Sequence, residues 1–596
     1  MTLRGGARRA LVFGASGLVG RHLVKELTKA GVEVTIAVRS PESASGVHQW
    51  LHEHGVGEVD AVVANFDAPL LVPSDAGLAA VTEIYNCAGT YRFGMTAQEA
   101  RRANVGIVER IVDFAAGLPR LQRLVHVSGY RVGGQDPATV PWSDTRRTML
   151  YKRLGPYEAS KVESDAVFQA RALEHSVPWT IVNPSSVIGD SETGESDQLI
   201  GLATNLRQIW DGRAHALPGD ASTFLPVVTV DYLAAFMVAA AVDPEAVNQS
   251  YWVLDDETPP LPVLLEHLGR HLGVKVPRLR VPARIVTTLP TWVSGAEPET
   301  LSFLSADRYP TRTATELAAR HDLAMPNVVT SLERWADHLA AHRFGETSGA
   351  DRRYSRAGGL RTYELGPTSA STLILPGLPV NADSWMTVAQ ALDARVVDLP
   401  GLGLTAGTGI ENWEHWLPDL VGEGPVDLVG HSIGTAAALH AASRFPERVA
   451  SLTLLAPFFL QAPARTSFMR RILQRAYLRT VTAERLAQRL TGSSDVARDL
   501  ESSAVDLRRR TARAVVGHLA AASSEPWRQT LRDQLMAYEG PVRIVTGTRD
   551  PLAPDLVQAL EAAPNVHLFQ LAGAGHHPHL THPRETAELL DRVRTA

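Results

Sequence analysis

A chain of 596 residues is too long for a single hydrophobic core and predicts two or more domains. With 45% hydrophobic and 20% charged residues, a net charge of -6 and a pI near 6.4, it has the make-up of a soluble globular protein and lacks the basic surplus of a nucleic-acid binder. A single cysteine, Cys87, excludes an intrachain disulfide and a cysteine-based zinc site.

The N-terminal "MTLRGGARRALVFGASG" runs straight into an expected strand and lacks the apolar core of a signal peptide. The longest apolar run, "LAAFMVAAAV", is too short to span a bilayer. The expectation is a cytoplasmic protein without a transmembrane segment. From there to about residue 340, Val/Ile-rich runs such as "RALVFGA", "VEVTIAVR", "TEIYNCAG" and "RLVHVSG" alternate with amphipathic stretches. That alternation predicts an α/β domain over 1–345, a doubly wound parallel sheet covered on both faces. The polar, Gly-rich segment 346–360 reads as a linker. A second α/β series over 361–596 follows, with "STLILPG", "ARVVDLPG", "VDLVGHS", "VASLTLLAP", "VRIVTGTRD" and "VHLFQLAGAG". An Arg-rich helical insert, approximately 460–536, interrupts that series and reads as a cap over an active site. This insert and "VPARIVTTLPTWVSGAEPETLSFLS" are expected to shape the two substrate sites.

In the first domain, "GASGLVG" joins the strand "RALVF" to the helix "RHLVKELTKAG". Gly14, Gly17 and Gly20 permit a tight turn and close approach of a pyrophosphate to a helix N-terminus, and Ser16, Leu18 and Val19 complete the loop. In this strand–loop–helix setting the motif predicts a Rossmann-type dinucleotide site. Arg39 ends "VEVTIAVR", where a guanidinium can hold a 2′-phosphate, which points to NADP(H). Tyr157 and Lys161, in "YEASK", share one helical face; an ammonium beside a phenol favours the tyrosinate and suits it to proton transfer at a carbonyl.

Residues 8 to 340 resemble the extended short-chain dehydrogenase/reductases, most closely the thioester and fatty acyl-CoA reductases. The resemblance rests on "GASGLVG", "IYNCAGTYRFG", "ARRANVGIVERIVDFA", "RLVHVSGY", "YEASK" and "TIVNPSSVIGDSETGES". It implies that Tyr157 is the proton donor, that Lys161 also holds the nicotinamide ribose, that Asp67 lies near the adenine, and that Asn104 is the Asn of the helix after the fourth strand. One departure stands out: the family places Ser or Thr pairs after "VHV", and this chain has Ser128 followed by Gly129 where the carbonyl-polarising hydroxyl belongs. Either Ser128 substitutes, or the carbonyl is held another way, or reduction is impaired.

In the second domain, Gly430-His431-Ser432-Ile433-Gly434 lies between the strand "VDLV" and a helix of small residues, the setting of a nucleophile elbow. Asp550 ends "VRIVTGTRD" and His576 follows "LFQLAGAG", giving the order Ser, acid, His. Residues 360 to 596 resemble the α/β-hydrolases through "LILPGLP", "VVDLPGLGLT", "GHSIG", "GTRDPLAP" and "GAGHHPHLTHP". The resemblance implies Ser432 as nucleophile, His576 as general base, Asp550 as its orienter, and the backbone N–H groups of Leu378 and Ile433 as the oxyanion hole. A Pro376-Gly377 pair replaces the His-Gly frequent before that loop. His576, His577, His579 and His582 crowd one stretch, but zinc ligands need convergent geometry and usually a partner elsewhere in the chain. The stretch is therefore read as a hydrolase terminus with no metal, with His577 the fallback base.

These readings predict a bifunctional enzyme: an NADPH-dependent reductase of a carbonyl or acyl thioester joined to a serine esterase or thioesterase. Its expected partners are small acyl or carbonyl substrates, with an acyl carrier protein a further candidate. The alternatives are an active hydrolase carrying a non-catalytic NADP(H)-binding module, and a live reductase whose hydrolase serves as a docking platform.

Overall fold

The computed structural model describes residues 7–89, 94–282, 304–347, 351–461, 468–550 and 552–595. Most of "VPARIVTTLPTWVSGAEPETLSFLS" lies outside the described residues. Contacts divide the chain into two compact units, Met1–Ala340 and Ala341–Ala596. Among the described residues no helix is long and apolar enough to cross a membrane.

The sheet of the first unit contains β1 (Arg9–Phe13), β2 (Glu33–Val38), β3 (Asp60–Val63), β4 (Glu83–Asn86), β5 (Arg123–Val127), β6 (Trp179–Pro184) and β10 (Gln249–Val253). Two small parallel ladders flank it: β7 (Ser186–Ile188) with β9 (Val227–Thr229), and β8 (Leu217–Pro218) with β11 (Arg280–Val281). The main order is β10-β6-β5-β4-β1-β2-β3, parallel throughout. Its central strands are apolar on both faces because both are covered. Val12 and Ile36 pack with the helices Leu18–Lys29 and Val230–Val242 on one face, and Leu11, Phe13, Ile84 and Leu124 with the helix Ile107–Ala116 on the other. The run "LAAFMVAAAV" belongs to Val230–Val242, a core helix buried nearly all round. Chain order reverses between β1 and β4, so the loops after these strands diverge and open a crevice at their carboxyl ends, the usual ligand position in such sheets.

The second unit carries β12 (Arg352–Ala357), β13 (Leu360–Leu365), β14 (Thr372–Leu375), β15 (Arg395–Val397), β16 (Val426–His431), β17 (Val449–Leu455), β18 (Val542–Gly547) and β19 (Val566–Leu571). The order is β12-β13-β15-β14-β16-β17-β18-β19, with β13 antiparallel to both neighbours and the remaining pairs parallel. Between β17 and β18 lie the helices Phe468–Leu478, Ala483–Thr491, Glu501–Asp506, Ala512–Ala522 and Glu525–Ala537. Leu486, Leu507 and Val515 from this insert join the core that holds Leu378, Val380 and Leu402 from the loops of the sheet.

The segment read as a linker contains β12. Its polarity concealed it: Arg353 pairs with Glu364 on the neighbouring strand at 2.9 Å, and Arg352 reaches the buried Asp383 and donates to Tyr363 Oη at 2.7 Å. Asp383 also accepts from Arg343 Nε at 2.6 Å, and the same guanidinium grips Asp506 in the helical insert at 3.1 and 2.9 Å. The two cations hold the Asp383 carboxyl below its usual range despite burial. Losing one member of so buried a set costs about 3–5 kcal/mol, because a charge is left unpaired.

Candidate active sites in the two units

Gly14 follows β1 with φ +79°, and a Cβ there would stand 2.6 Å from the backbone of Cys87 and Ala88 after β4. The turn thus requires glycine to pass the neighbouring strand at the switch point. Gly17 is different. It is exposed, caps Leu18–Lys29 without any side-chain hydrogen bond, and a Cβ on it would meet only the Gly14 carbonyl at an ordinary 3.5 Å. Ser16 is also exposed, Leu18 is buried and Val19 half-buried, so the first turn's N–H groups lie at the surface of the crevice. Arg39 is exposed directly after β2, and the exposed Asp67 accepts from Arg102 at 2.5 Å.

Tyr157 and Lys161 lie on the helix Pro156–Glu174, whose first residue is a proline suited to helix starts. A Cβ on Gly89, after β4, would stand 4.0 Å from Lys161 Nζ and 3.7 Å from Asn104 Oδ1, so these polar atoms converge at the mouth of the crevice. Asn104 sits in a π turn and donates to Ser160 Oγ at 2.9 Å, and Ser160 in turn donates to the Tyr157 carbonyl at 2.8 Å. Burial lowers the basicity of Lys161, while the Asp165 carboxylate opposes that shift.

Ser128, just past β5, donates its one proton to Asp165 Oδ1 at 2.9 Å. Asp165 also accepts from the Gln135 N–H at 3.0 Å and from Gln169 at 2.9 Å. Sequence reasoning missed Asp165; its signal was the spacing Tyr157, Lys161, Asp165, every fourth residue along one helical face. With its proton committed, the Ser128 hydroxyl retains only acceptor capacity toward other groups. A Cβ at Gly129 would meet only Val132, at 3.4 Å.

Burial raises the Asp165 carboxyl from its usual 3.8 to about 6. Between those values the folded chain holds a proton that the unfolded chain has released, so stability from this group declines as pH rises across the window. The expected size is about 3 kcal/mol. Thermal unfolding of Asp165→Asn between pH 4 and 7 should lack the part of the pH slope that this group gives the parent; an unchanged slope refutes the assignment.

In the second unit Ser432 stands between β16 and the helix Ile433–Arg444 with φ +51° and ψ −114°, a conformation strained for a residue with a side chain. The flanking glycines permit the turn: a Cβ on Gly434 would stand 2.1 Å from the Leu375 carbonyl. His576 Nε2 lies 2.9 Å from Ser432 Oγ, and His576 Nδ1 lies 2.8 Å from Asp550 Oδ2. His576, not His577, therefore faces the serine. Gln461, absent from the sequence reading, also donates to Asp550 Oδ2. Ile433 opens its helix, so its N–H has no acceptor within it; Leu378 follows Gly377, whose Cβ would stand 2.6 Å from Ser432 Cβ. Both backbone positions thus flank the serine. The set can deprotonate Ser432 and meet a developing oxyanion with N–H donors. His577 and His579 turn inward beside His431, and burial pushes all three rings below the usual imidazole range.

Residues 12–237 match the model of the NAD-binding family described as male sterility protein, and residues 372–589 that of the alpha/beta hydrolase family. The N-terminal unit is thus reductase-like and the C-terminal unit hydrolase-like. The chain is 27% identical over 203 residues to a 4-hydroxy-2-methyl-3-oxo-4-farnesyl-3,4-dihydroquinoline-1-oxide ketoreductase of Stigmatella aurantiaca, covering 34% of this chain and 57% of that protein's own length. It is 28% identical over 250 residues to a pimeloyl-(acyl-carrier protein) methyl ester esterase of Aromatoleum aromaticum, covering 37% of this chain and 96% of the esterase. Among solved structures, the terminal R domain from the myxalamid PKS-NRPS biosynthetic pathway matches with a TM-score of 0.46 and 21% identity, over 57% of this chain and 92% of that domain.

Proposed function

We propose that the chain is a bifunctional enzyme, in which the first unit reduces a carbonyl or acyl thioester with NADPH and the second hydrolyses an ester or thioester through Ser432. The observation that carries the reading is the unbroken hydrogen-bonded chain Ser432–His576–Asp550 in the same polypeptide as the Tyr157–Lys161 helix and an uncapped glycine-loop helix.

The crevice suits a dinucleotide. The N-terminus of Leu18–Lys29 is free of side-chain caps, Gly17 leaves room for a pyrophosphate, and Arg39 can pair with a 2′-phosphate. NADPH, when bound, supplies the hydride. Tyr157 would give its phenolic proton to the substrate's carbonyl oxygen, and the Lys161 ammonium would favour the resulting tyrosinate. Arg39→Ala should weaken NADPH about tenfold to hundredfold and leave NADH nearly unchanged, measured by fluorescence titration. Equal weakening of both would remove Arg39 from 2′-phosphate recognition.

In the second unit, Ser432 Oγ attacks the acyl carbonyl while His576 Nε2 takes its proton and Asp550 holds the imidazole. The Ile433 and Leu378 N–H groups receive the oxyanion. His576 then protonates the departing alcohol or thiol, and water, activated the same way, releases the acid and restores Ser432. The esterase relative supports an acyl substrate for this unit, with an acyl carrier protein as a candidate partner. The deciding measurement is NADPH oxidation by the Ser432→Ala protein on acyl-CoAs, aldehydes and 3-keto esters.

The grip of Asp165 on Ser128, together with Gly129, favours a second reading: a working hydrolase whose first unit binds NADP(H) without turning it over. Tight NADPH binding with no oxidation on any carbonyl would select it.

A further inference from the structure

We propose that His431, His577 and His579 form a buried site for one divalent transition metal of the zinc class, seated behind the Ser432–His576 pair. His431 ends β16 next to Ser432, and His577 follows His576 directly, so the three imidazoles come from the two arms that carry those side chains. All three are buried, at 0, 5 and 2% exposure, and each offers a nitrogen within 4.8 Å of the other two.

The hydrogen bonding suits ligation. His431 Nε2 lies 2.8 Å from the His576 carbonyl, which can only accept, so the ring proton sits on Nε2 and Nδ1 presents a lone pair. A metal-bound histidine is held in this way, its far N–H fixed on a carbonyl. Among the described residues His431 Nδ1, His577 Nδ1 and both nitrogens of His579 are buried without a hydrogen-bond partner. Such atoms are normally satisfied in a folded interior, and here all four belong to the three rings of one cluster, each of which offers one nitrogen to it.

Ring geometry agrees. The centroids of His431 lie 4.8 Å from His579 and 5.2 Å from His577, and those of His577 and His579 are 5.7 Å apart, with interplanar angles of 65°, 67° and 69°. A tetrahedral ion about 2.0–2.1 Å from three imidazole nitrogens would hold the ring centres about 5 Å apart. The nitrogens themselves would sit about 3.4 Å apart, so binding draws them in by about an ångström. Trp385 stacks on His579 at 4.2 Å and 7°, bracing that ring from behind. Three neutral nitrogens without a carboxylate select zinc, cobalt, nickel or copper over magnesium or calcium. The ion would join the end of β16 to the loop after β19 and so fix the serine–base separation, a positioning role.

The test is metal content of the full chain, stripped with chelator, incubated with Zn²⁺ and desalted. One equivalent should remain in the parent and in His582→Ala, and be lost in His579→Leu and in His577→Gln. Zinc should raise the unfolding midpoint of the parent by about 5 °C or more at saturation. Cobalt needs no variant: the parent with one equivalent of Co²⁺ should show the intense visible bands of a tetrahedral ion, even if both substitutions prevent folding. Retention of as much zinc by a folded His579→Leu as by the parent, no metal after desalting, or only the weak bands of octahedral cobalt would overturn the proposal.

Discussion

Ester turnover by the Ser432→Ala protein is expected to fall by about 10⁴–10⁶ in kcat. Ser432 Oγ is the atom that His576 Nε2 faces at 2.9 Å. Removing it leaves the N–H donors of Ile433 and Leu378, which account for a residual acceleration over water but form no acyl-enzyme. The loss should appear on p-nitrophenyl acetate and butyrate alike, and labelling by a fluorophosphonate should vanish with it. NADPH binding should be untouched. The strained φ of +51° adds a second signature: Ser432→Gly should be equally inactive yet more stable than Ser432→Ala by about 1 kcal/mol, because glycine adopts that backbone freely. A fall of less than tenfold would place the nucleophile elsewhere.

Tyr157→Phe in a Ser432→Ala background should lower NADPH oxidation by about 10²–10⁴, with NADPH affinity within about twofold of the parent. Phenylalanine preserves the ring beside the helix start while removing the one proton it could give the carbonyl. The opposite change is expected at Gly129. Ser128 spends its proton on Asp165 and Gly129 has no side chain, so neither residue of this pair donates to a carbonyl oxygen, whereas a Cβ at position 129 would stand 3.4 Å from Val132. Restoring that donor by Gly129→Ser should raise kcat by about tenfold or more, within the range one oxyanion donor contributes elsewhere. A parent that binds NADPH, oxidises none and stays inert after Gly129→Ser would establish the nucleotide-binding module in place of the reductase.

Much of this was legible because the motifs are local. The glycine turn after β1, the serine between β16 and its helix, Asp550 after β18 and His576 after β19 each sit at a strand end that the residue pattern locates unaided. What holds them was not legible. Asp165 meets Ser128 across 37 positions, and Gln461 meets Asp550 across 89. His577 and His579 looked like one crowded stretch with His576 and His582; only folding gathers the rings of His577 and His579 with that of His431 into one buried cluster, while the His576 ring turns to Ser432. β12 escaped notice for a related reason. An edge strand rich in arginine has no apolar alternation, and the carboxylates that make it a strand are brought to it from β13 and from beyond β14.

The position of Arg343 bears on how such a chain could have been assembled or could be taken apart. A hydrolase segment cut at residue 361, where the second α/β pattern begins, would leave behind β12 and both guanidiniums that neutralise Asp383 and Asp506. The heritable module therefore starts upstream, at or before residue 341, and a recombination junction that respects the recognisable motifs alone would break it. The stretch that resembles a spacer is part of the cargo, and the joint at which these two genes could be exchanged for others lies on its far side.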